Sequence, residues 1–220
     1  MNNKCVIFVS GLGTTKDYFE PLMSLIPFKS IFFQLDTTNA DELLKLIHHV
    51  LSLGVVKLYV APFSISCYIT SSILQNNFSL MDNKIELVLL DPPDAKNNKL
   101  AKIVLSAPDY VLWIWDYVLN IHTRYYILSA LSSFTTPKIV DMTLASMSIR
   151  TIRSMIQKYL IPFQPPHGTT ILRGNQSKYS SLLAFDITKT FILPTDHHMV
   201  WHRPDLIANF IVYGTIQDQP

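Results

Sequence analysis

Ser64 stands in YVAPFSISCYI (residues 59–69), where a β-branched and aromatic run gives way within a few residues to a stretch of helical character. A serine on so short a strand-to-helix turn is a candidate nucleophile. Acyl transfer by a serine needs an exposed hydroxyl, a base to take its proton, a group that orients the base, and N–H donors for the oxyanion. Histidine is the side chain that changes charge near neutrality, and TDHHMVWHRP (195–204) offers His197, His198 and His202. His202 reads as a surface residue at a helix start. His48 and His49 fall on a predicted helix and read as surface or packing residues. Ser66 is a weaker nucleophile than Ser64 because it would enter the helix. No spacing of Cys, His and Asp suggests a metal site, and no glycine-rich phosphate loop is present, so no cofactor is implied.

The elements that must position these residues alternate. Apolar runs at 4–10, 29–36, 55–61 and 84–91 read as strands, and the stretches between them read as helices, with Thr38 or Asn39 able to cap the second. From 95 to about 160 no strand pattern is visible. Helical stretches there are separated by Pro108, by Thr123-Arg124 and by Pro137, and Ser106 with Asp109 resembles a capping box. Strands return at 169–174 and 188–194, with a short helix between them and a last helix from about 204 to 212. Repeated strand–helix–strand units predict an α/β fold with a mostly parallel, doubly wound sheet of about six strands. The expected organisation is a core of 1–94 and 161–220 with a helical insertion at 95–160.

The 220 residues are 49% hydrophobic and 15% charged, enough to build one sizeable core and too apolar for disorder. A net charge of +2 with scattered Lys and Arg argues against a nucleic-acid partner. The most apolar stretch, APDYVLWIWDYVLNI (107–121), is interrupted by Asp109 and Asp116 and is too short to span a bilayer. MNNKCVIFVSG leads straight into a strand with no small-residue cleavage site, so no signal peptide is expected. Cys5 and Cys67 read as buried thiols in a reducing compartment, and the expected location is cytoplasmic.

The order of motifs resembles the α/β-hydrolase superfamily over nearly the whole chain. VIFVSGLGTTKDYFEPL (6–22) resembles its first central strand and oxyanion loop, with Ser10-Gly11-Leu12-Gly13 where His-Gly-X-Gly is usual. YVAPFSISCYI is similar to the nucleophile elbow Gly-X-Ser-X-Gly, with Pro62 and Ser66 at the glycine positions. LVLLDPPD (87–94) resembles the strand after the elbow helix, ILRGNQS (171–177) the strand whose turn often carries the acid, and LPTDHHMVWHRPDLI (193–207) the histidine loop and final helix. The insertion falls where the family places its cap. The two antiparallel strands that often open the fold are missing, which makes this a short member.

The resemblance implies Ser64 as nucleophile and the backbone N–H groups of Leu12 and Ile65 as oxyanion donors. For the base, the apolar residue after His198 favours His198, while the count back from Pro204 favours His197; the first cue is given the greater weight. The usual acid position reads Asn175-Gln176-Ser177-Lys178 and has no carboxylate. Asp91, at the carboxyl end of the strand after the elbow helix, is the alternative orienting acid, with Asp94 second. Trp113 and Tyr117 in the insertion are candidate acyl-chain contacts. Core packing is the preferred reading of that stretch, because all-round apolarity normally marks a helix buried on several sides. The implied activity is hydrolysis of an ester or thioester of an apolar acyl group, free or carrier-linked. A decayed scaffold serving as a ligand-binding or interaction module, and an acyltransferase or non-hydrolytic use of the same Ser–His pair, are the alternatives.

Overall fold

Strands that are apolar without alternation are satisfied where both faces are covered, and the central strands have that burial. The computed structural model describes residues 3–36, 39–77, 84–93, 99–131, 136–159, 165–177 and 189–215. Its strands are β1 (Lys4–Val9), β2 (Lys29–Phe33), β3 (Lys57–Pro62), β4 (Ile85–Leu90), β5 (Thr170–Gly174) and β6 (Lys189–Leu193). Among the described residues they form one sheet in the order β2-β1-β3-β4-β5-β6, with every pairing parallel. From their second residue onward β1 and β3 are buried throughout, whereas the edge strands β2 and β6 are mostly half-buried or exposed.

Helices α1 (Lys16–Ser24), α2 (Ala40–Ser52) and α3 (Ser66–Asn76) join the first four strands, and α9 (Met199–His202) and α10 (Pro204–Tyr213) follow β6. The chain goes from β1 outward to β2, then crosses back over β1 to β3. Right-handed crossovers therefore put α1 on one face of the sheet and α2 and α3 on the other. Accordingly α1 packs with α9 and α10, and α2 with α3. This is the doubly wound sheet that the alternation predicts, and it reverses direction between β1 and β3, where such sheets open a crevice. Cys5 and Cys67 are buried free thiols within it, and burial raises the pKa of both.

Pro62 ends β3, a central strand, which is an unusual place for a residue without an N–H. The β3–β4 ladder pairs Leu58–Val60 with Ile85–Leu87, then returns in the same register as a single bridge, Phe63 with Leu90. The proline falls in the gap. Beyond it the Phe63 N–H donates to the Val9 carbonyl at 3.1 Å and the Ser64 N–H to that of Leu90 at 2.9 Å. Both neighbours thus hold the end of the strand despite the missing donor.

Between β4 and β5 lie α4 (Lys99–Ser106), α5 (Asp109–Trp113) continuing into a π-turn at Ile114–Val118, α6 (Ile121–Leu131), α7 (Lys138–Ser146) and α8 (Ile149–Tyr159). The expected limits of this insertion, 94/95 and 160/161, fall outside the described residues, as do Thr38 and the short helix expected between β5 and β6. Thr123-Arg124 does not interrupt a helix. Arg124 lies inside α6, its guanidinium donating to the carbonyls of Leu119 (2.9 Å) and Asp116 (2.8 Å), and the interruption is at Leu119-Asn120. Ser106 makes no capping box either, because its hydroxyl donates back to the Lys102 carbonyl at 2.8 Å and α5 begins after Pro108.

The aromatic run of the insertion also departs from the core packing expected of it. Only Leu112 of α5 is buried, no residue of the π-turn is, and Tyr110, Trp113 and Tyr117 are 67%, 51% and 67% exposed. The reason is the layout of short helices, in which α4 pairs with α8 and α6 with α7. That leaves Tyr110, Trp113 and Tyr117 on the outside, while Leu112 is buried and Trp115 packs against the core. No described helix is long and apolar enough to cross a membrane.

Candidate active site

Ser64 occupies the left-handed region at φ 56°, a conformation that costs a side chain of order 1 kcal/mol or more and persists only where surrounding bonds impose it. Those bonds are identifiable. Its N–H is held by Leu90 and its carbonyl accepts from the Cys67 N–H at 3.0 Å, within the first turn of α3. Ser66, at a glycine position of the resembled elbow, is fully buried, and its hydroxyl contacts the carbonyls of Phe63 (2.8 Å) and Val9 (3.2 Å). This hydroxyl faces inward, away from any nucleophilic use. Ser10, where a histidine is usual, accepts from the Leu35 N–H at 2.8 Å and so ties the end of β1 to the loop after β2.

The loop after β1 is pressed onto this turn. A Cβ at Gly11 would stand 2.8 Å from Phe63 Cδ1 and 3.1 Å from Ser64 Cβ, so only glycine permits the approach. Gly13, at φ 74°, brings α7 against the other side of the loop: a Cβ there would meet Leu144 Cγ at 2.5 Å. Leu12 lies between them. Among the described residues no group accepts from the Leu12 or Ile65 N–H.

His197 faces Ser64 across the cleft, its Nε2 3.0 Å from Ser64 Oγ. On the far side of the ring Nδ1 is 2.5 Å from Asp91 Oδ2. Asp91 is fully buried and, at φ 44°, is with Ser64 one of the two non-glycine residues of positive φ among those described. Its carboxylate also accepts from the Gly174 N–H (3.1 Å, on Oδ1) and from the Ser177 hydroxyl (2.6 Å, on Oδ2). With Nδ1–H donating to the carboxylate, Nε2 is left to accept the serine proton. Three residues from the ends of β3 and β4 and from the loop after β6 are thereby brought together.

His198, the histidine preferred in the sequence reading, does not join them. The Asp196 carboxylate accepts its backbone N–H at 2.8 Å and turns its side chain to Tyr18, whose hydroxyl lies 3.1 Å from Nδ1. Burial pushes the His198 pKa down to about 3, aided by the neighbouring His197 and His202 and opposed by Asp196. The Tyr18 phenol moves well above its usual value, chiefly through burial. At neutral pH a neutral imidazole thus accepts from a protonated phenol. His202 is exposed just before the last helix, as expected, and its Nδ1 lies 3.0 Å from Asp196 Oδ1. His48 and His49 are exposed on α2.

Ser177, Gly174 and Tyr18 were not singled out by the sequence reading. One signal was available for the first two. Asp91 precedes Pro92-Pro93, so neither following residue has an N–H with which an aspartate can make its usual local turn bond. A buried carboxylate so placed needs donors from elsewhere. Trp113 and Tyr117 form a tilted ring pair with centroids 5.9 Å apart on the outer side of the insertion. Among the described residues no hydrogen bond or ring contact joins either to Ser64, His197 or Asp91. Asp94 lies outside the described residues.

Neither a family model nor a curated protein sequence matches the chain. Solved structures do. A carboxylesterase from Nitrososphaera gargenis is similar with a TM-score of 0.62 at 12% identity, over 95% of this chain and 88% of that one. The thioesterase domain from the curacin biosynthetic pathway has a TM-score of 0.58 at 14% identity, over 95% and 91% of the two chains. An α/β-hydrolase enzyme from a Medee basin deep-sea metagenome library has a TM-score of 0.57 at 11% identity, over 100% and 92%. Sheet order, the elbow and these likenesses agree: the chain has the α/β-hydrolase fold.

Proposed function

We propose that the protein is a serine hydrolase acting on an ester or thioester of an apolar acyl group, with Ser64 as nucleophile, His197 as base and Asp91 as orienting acid. The observation that carries this reading is the single imidazole that bridges Ser64 Oγ at 3.0 Å and Asp91 Oδ2 at 2.5 Å. Ser64 Oγ attacks the acyl carbon while His197 Nε2 takes its proton, and Asp91 stabilises the imidazolium that forms. The carbonyl oxygen becomes an oxyanion held by the Leu12 and Ile65 N–H groups. Collapse expels the alcohol or thiol, which leaves with the proton from Nε2, and an acyl-serine remains. Water, deprotonated by His197, attacks this ester; the acid departs and Ser64 recovers its proton.

An apolar acyl group is supported by what surrounds the serine. The Phe63 ring lies 5.0 Å from that of His197, and Leu144 abuts the glycine loop beside half-buried Leu12. The contact of α7 with that loop supports a cap role for the helical insertion. The esterase and thioesterase neighbours support the reaction class.

The test is intact-mass analysis after exposure to a fluorophosphonate, which requires an activated serine. Wild type is expected to gain one phosphonyl group, Ser64→Ala none, and His197→Ala to react far more slowly. Folded wild type that stays unlabelled overturns the reading and favours a scaffold that binds without turnover.

A further inference from the structure

We propose that Ser177 is a positioning residue that acts on His197 through Asp91, an inference that rests on the hydrolase reading above. The Ser177 hydroxyl donates to the same carboxylate oxygen, Oδ2, that faces His197 Nδ1, at 2.6 Å and 2.5 Å respectively. The Gly174 N–H holds the other oxygen at 3.1 Å. These donors come from the end of β5 and the turn after it, while the carboxylate rises from the end of β4.

The need for such donors follows from the local sequence. Asp91 is fully buried in a left-handed backbone conformation, and the two prolines after it supply no N–H. A buried carboxylate without local donors must be solvated by the protein, and a carboxylate held at one oxygen alone can still swing about its Cβ–Cγ bond. Ser177 gives the second oxygen a donor other than the imidazole that the carboxylate has to orient, and so helps to set the plane that Nδ1–H meets.

Its own position is set by the backbone. The Asn175 N–H donates to Leu193 (2.9 Å), that of Gln176 to Thr195 (3.0 Å) and that of Ser177 to Gly174 (3.2 Å). The turn is thus tied to the end of β6 and to the loop that carries His197. A position that lacks a carboxylate of its own holds the carboxylate supplied by the neighbouring strand. The effect of Ser177 passes through Asp91 to the imidazole.

Ser177→Ala and Ser177→Thr, made in the full chain and verified as folded by near-UV circular dichroism, test this with two readouts. One is the fluorophosphonate reaction resolved into maximal labelling rate and half-saturating probe concentration. The other is the downfield proton resonance of His197 Nδ1–H, assigned by its loss in His197→Gln. Loss of one hydrogen bond to a charged group is worth roughly tenfold. Ser177→Ala should therefore lower the maximal rate about tenfold, leave half-saturation unchanged, and lose the resonance to exchange with water. Ser177→Thr, which keeps the hydroxyl, should restore both. Wild-type rate and resonance in Ser177→Ala overturn the inference, as does a loss shared equally by Ser177→Thr. If wild type is unlabelled while the resonance still follows the hydroxyl, the hydrolase reading falls and the positioning role stands. If wild type is labelled and Ser177→Ala matches it in both readouts, the reverse holds.

Discussion

The imidazole rings of His197 and His198 stand edge to face with centroids 5.4 Å apart, yet they belong to separate hydrogen-bond networks. His197 joins Ser64 to Asp91, and His198 joins Tyr18 to the Asp196 side. The two adjacent residues therefore give opposite results when changed.

Asp91→Asn should lower the labelling rate of Ser64 by about 10⁴-fold, because an amide in that place favours the wrong imidazole tautomer. His197→Ala should lose at least as much. His198→Gln, which still offers Tyr18 an acceptor, should label within a few-fold of wild type. Labelling rates at neutral pH check all three, and a large loss in His198→Gln alone would reverse the assignment of the base.

His198 also makes stability depend on pH. Its folded pKa is lowered to about 3 from an ordinary value of 6.5, so below 6.5 the unfolded chain takes up a proton that the folded protein refuses. The sign is fixed by this: the contribution is full above pH 6.5 and is lost as pH falls from there toward 3. Between pH 7 and pH 5 the loss is about 2 kcal/mol. Urea unfolding at the two pH values should show wild type losing about that much more stability than His198→Gln. Equal losses would mean that His198 is not buried neutral.

Ser66→Ala removes a buried hydroxyl that serves two carbonyls. Stability should fall by about 1 kcal/mol, and Ser64 should still be labelled, because alanine is small enough for the turn. Ser66→Val should lose both fold stability and labelling, as its branched side chain meets β1. Denaturant midpoints and intact mass separate the two effects.

Gly13→Ala should cost about 1–2 kcal/mol for the left-handed backbone and roughly 1–3 kcal/mol more for overlap with Leu144. Measured again in a Leu144→Ala background, only the backbone part should remain. An unchanged cost would show that α7 does not bear on the loop.

Where sequence and structure agree, local chemistry is the cause. The runs that became β1, β3 and β4 are apolar at nearly every position, and a strand buried on both faces leaves that imprint. The elbow was legible because the change from strand to helix around Ser64 occupies so few residues, and Pro62 did not straighten it because β1 and β4 hold the residues that follow. What escaped was set by distant partners. The local cues at His197 and His198 conflict: the count back from Pro204 points to the ring that meets Ser64 and the apolar Met199 points to the wrong one. What separates them is Asp196 bonding one amide and Tyr18 reaching over from α1. Ser177 is an ordinary turn serine until β4 lies beside β5. The aromatic run 110–117 has the composition of a core helix, and only the pairing of the other short helices leaves Tyr110, Trp113 and Tyr117 exposed.

The separation of the paired groups along the chain has a consequence for synthesis. Ser64 and His197 are 133 positions apart, and Asp91 and His197 are 106 apart. A chain made from its amino end can assemble the four strands β2-β1-β3-β4 and form the elbow long before the base exists, and contacts of such range are the late ones in folding. On the reading proposed here, the nascent protein is chemically silent until β6 adds to the far edge of the sheet and the loop after it swings His197 over the serine. Reactivity of Ser64 is thus a timer for the last strand, and a chain interrupted before it carries a formed but inert turn.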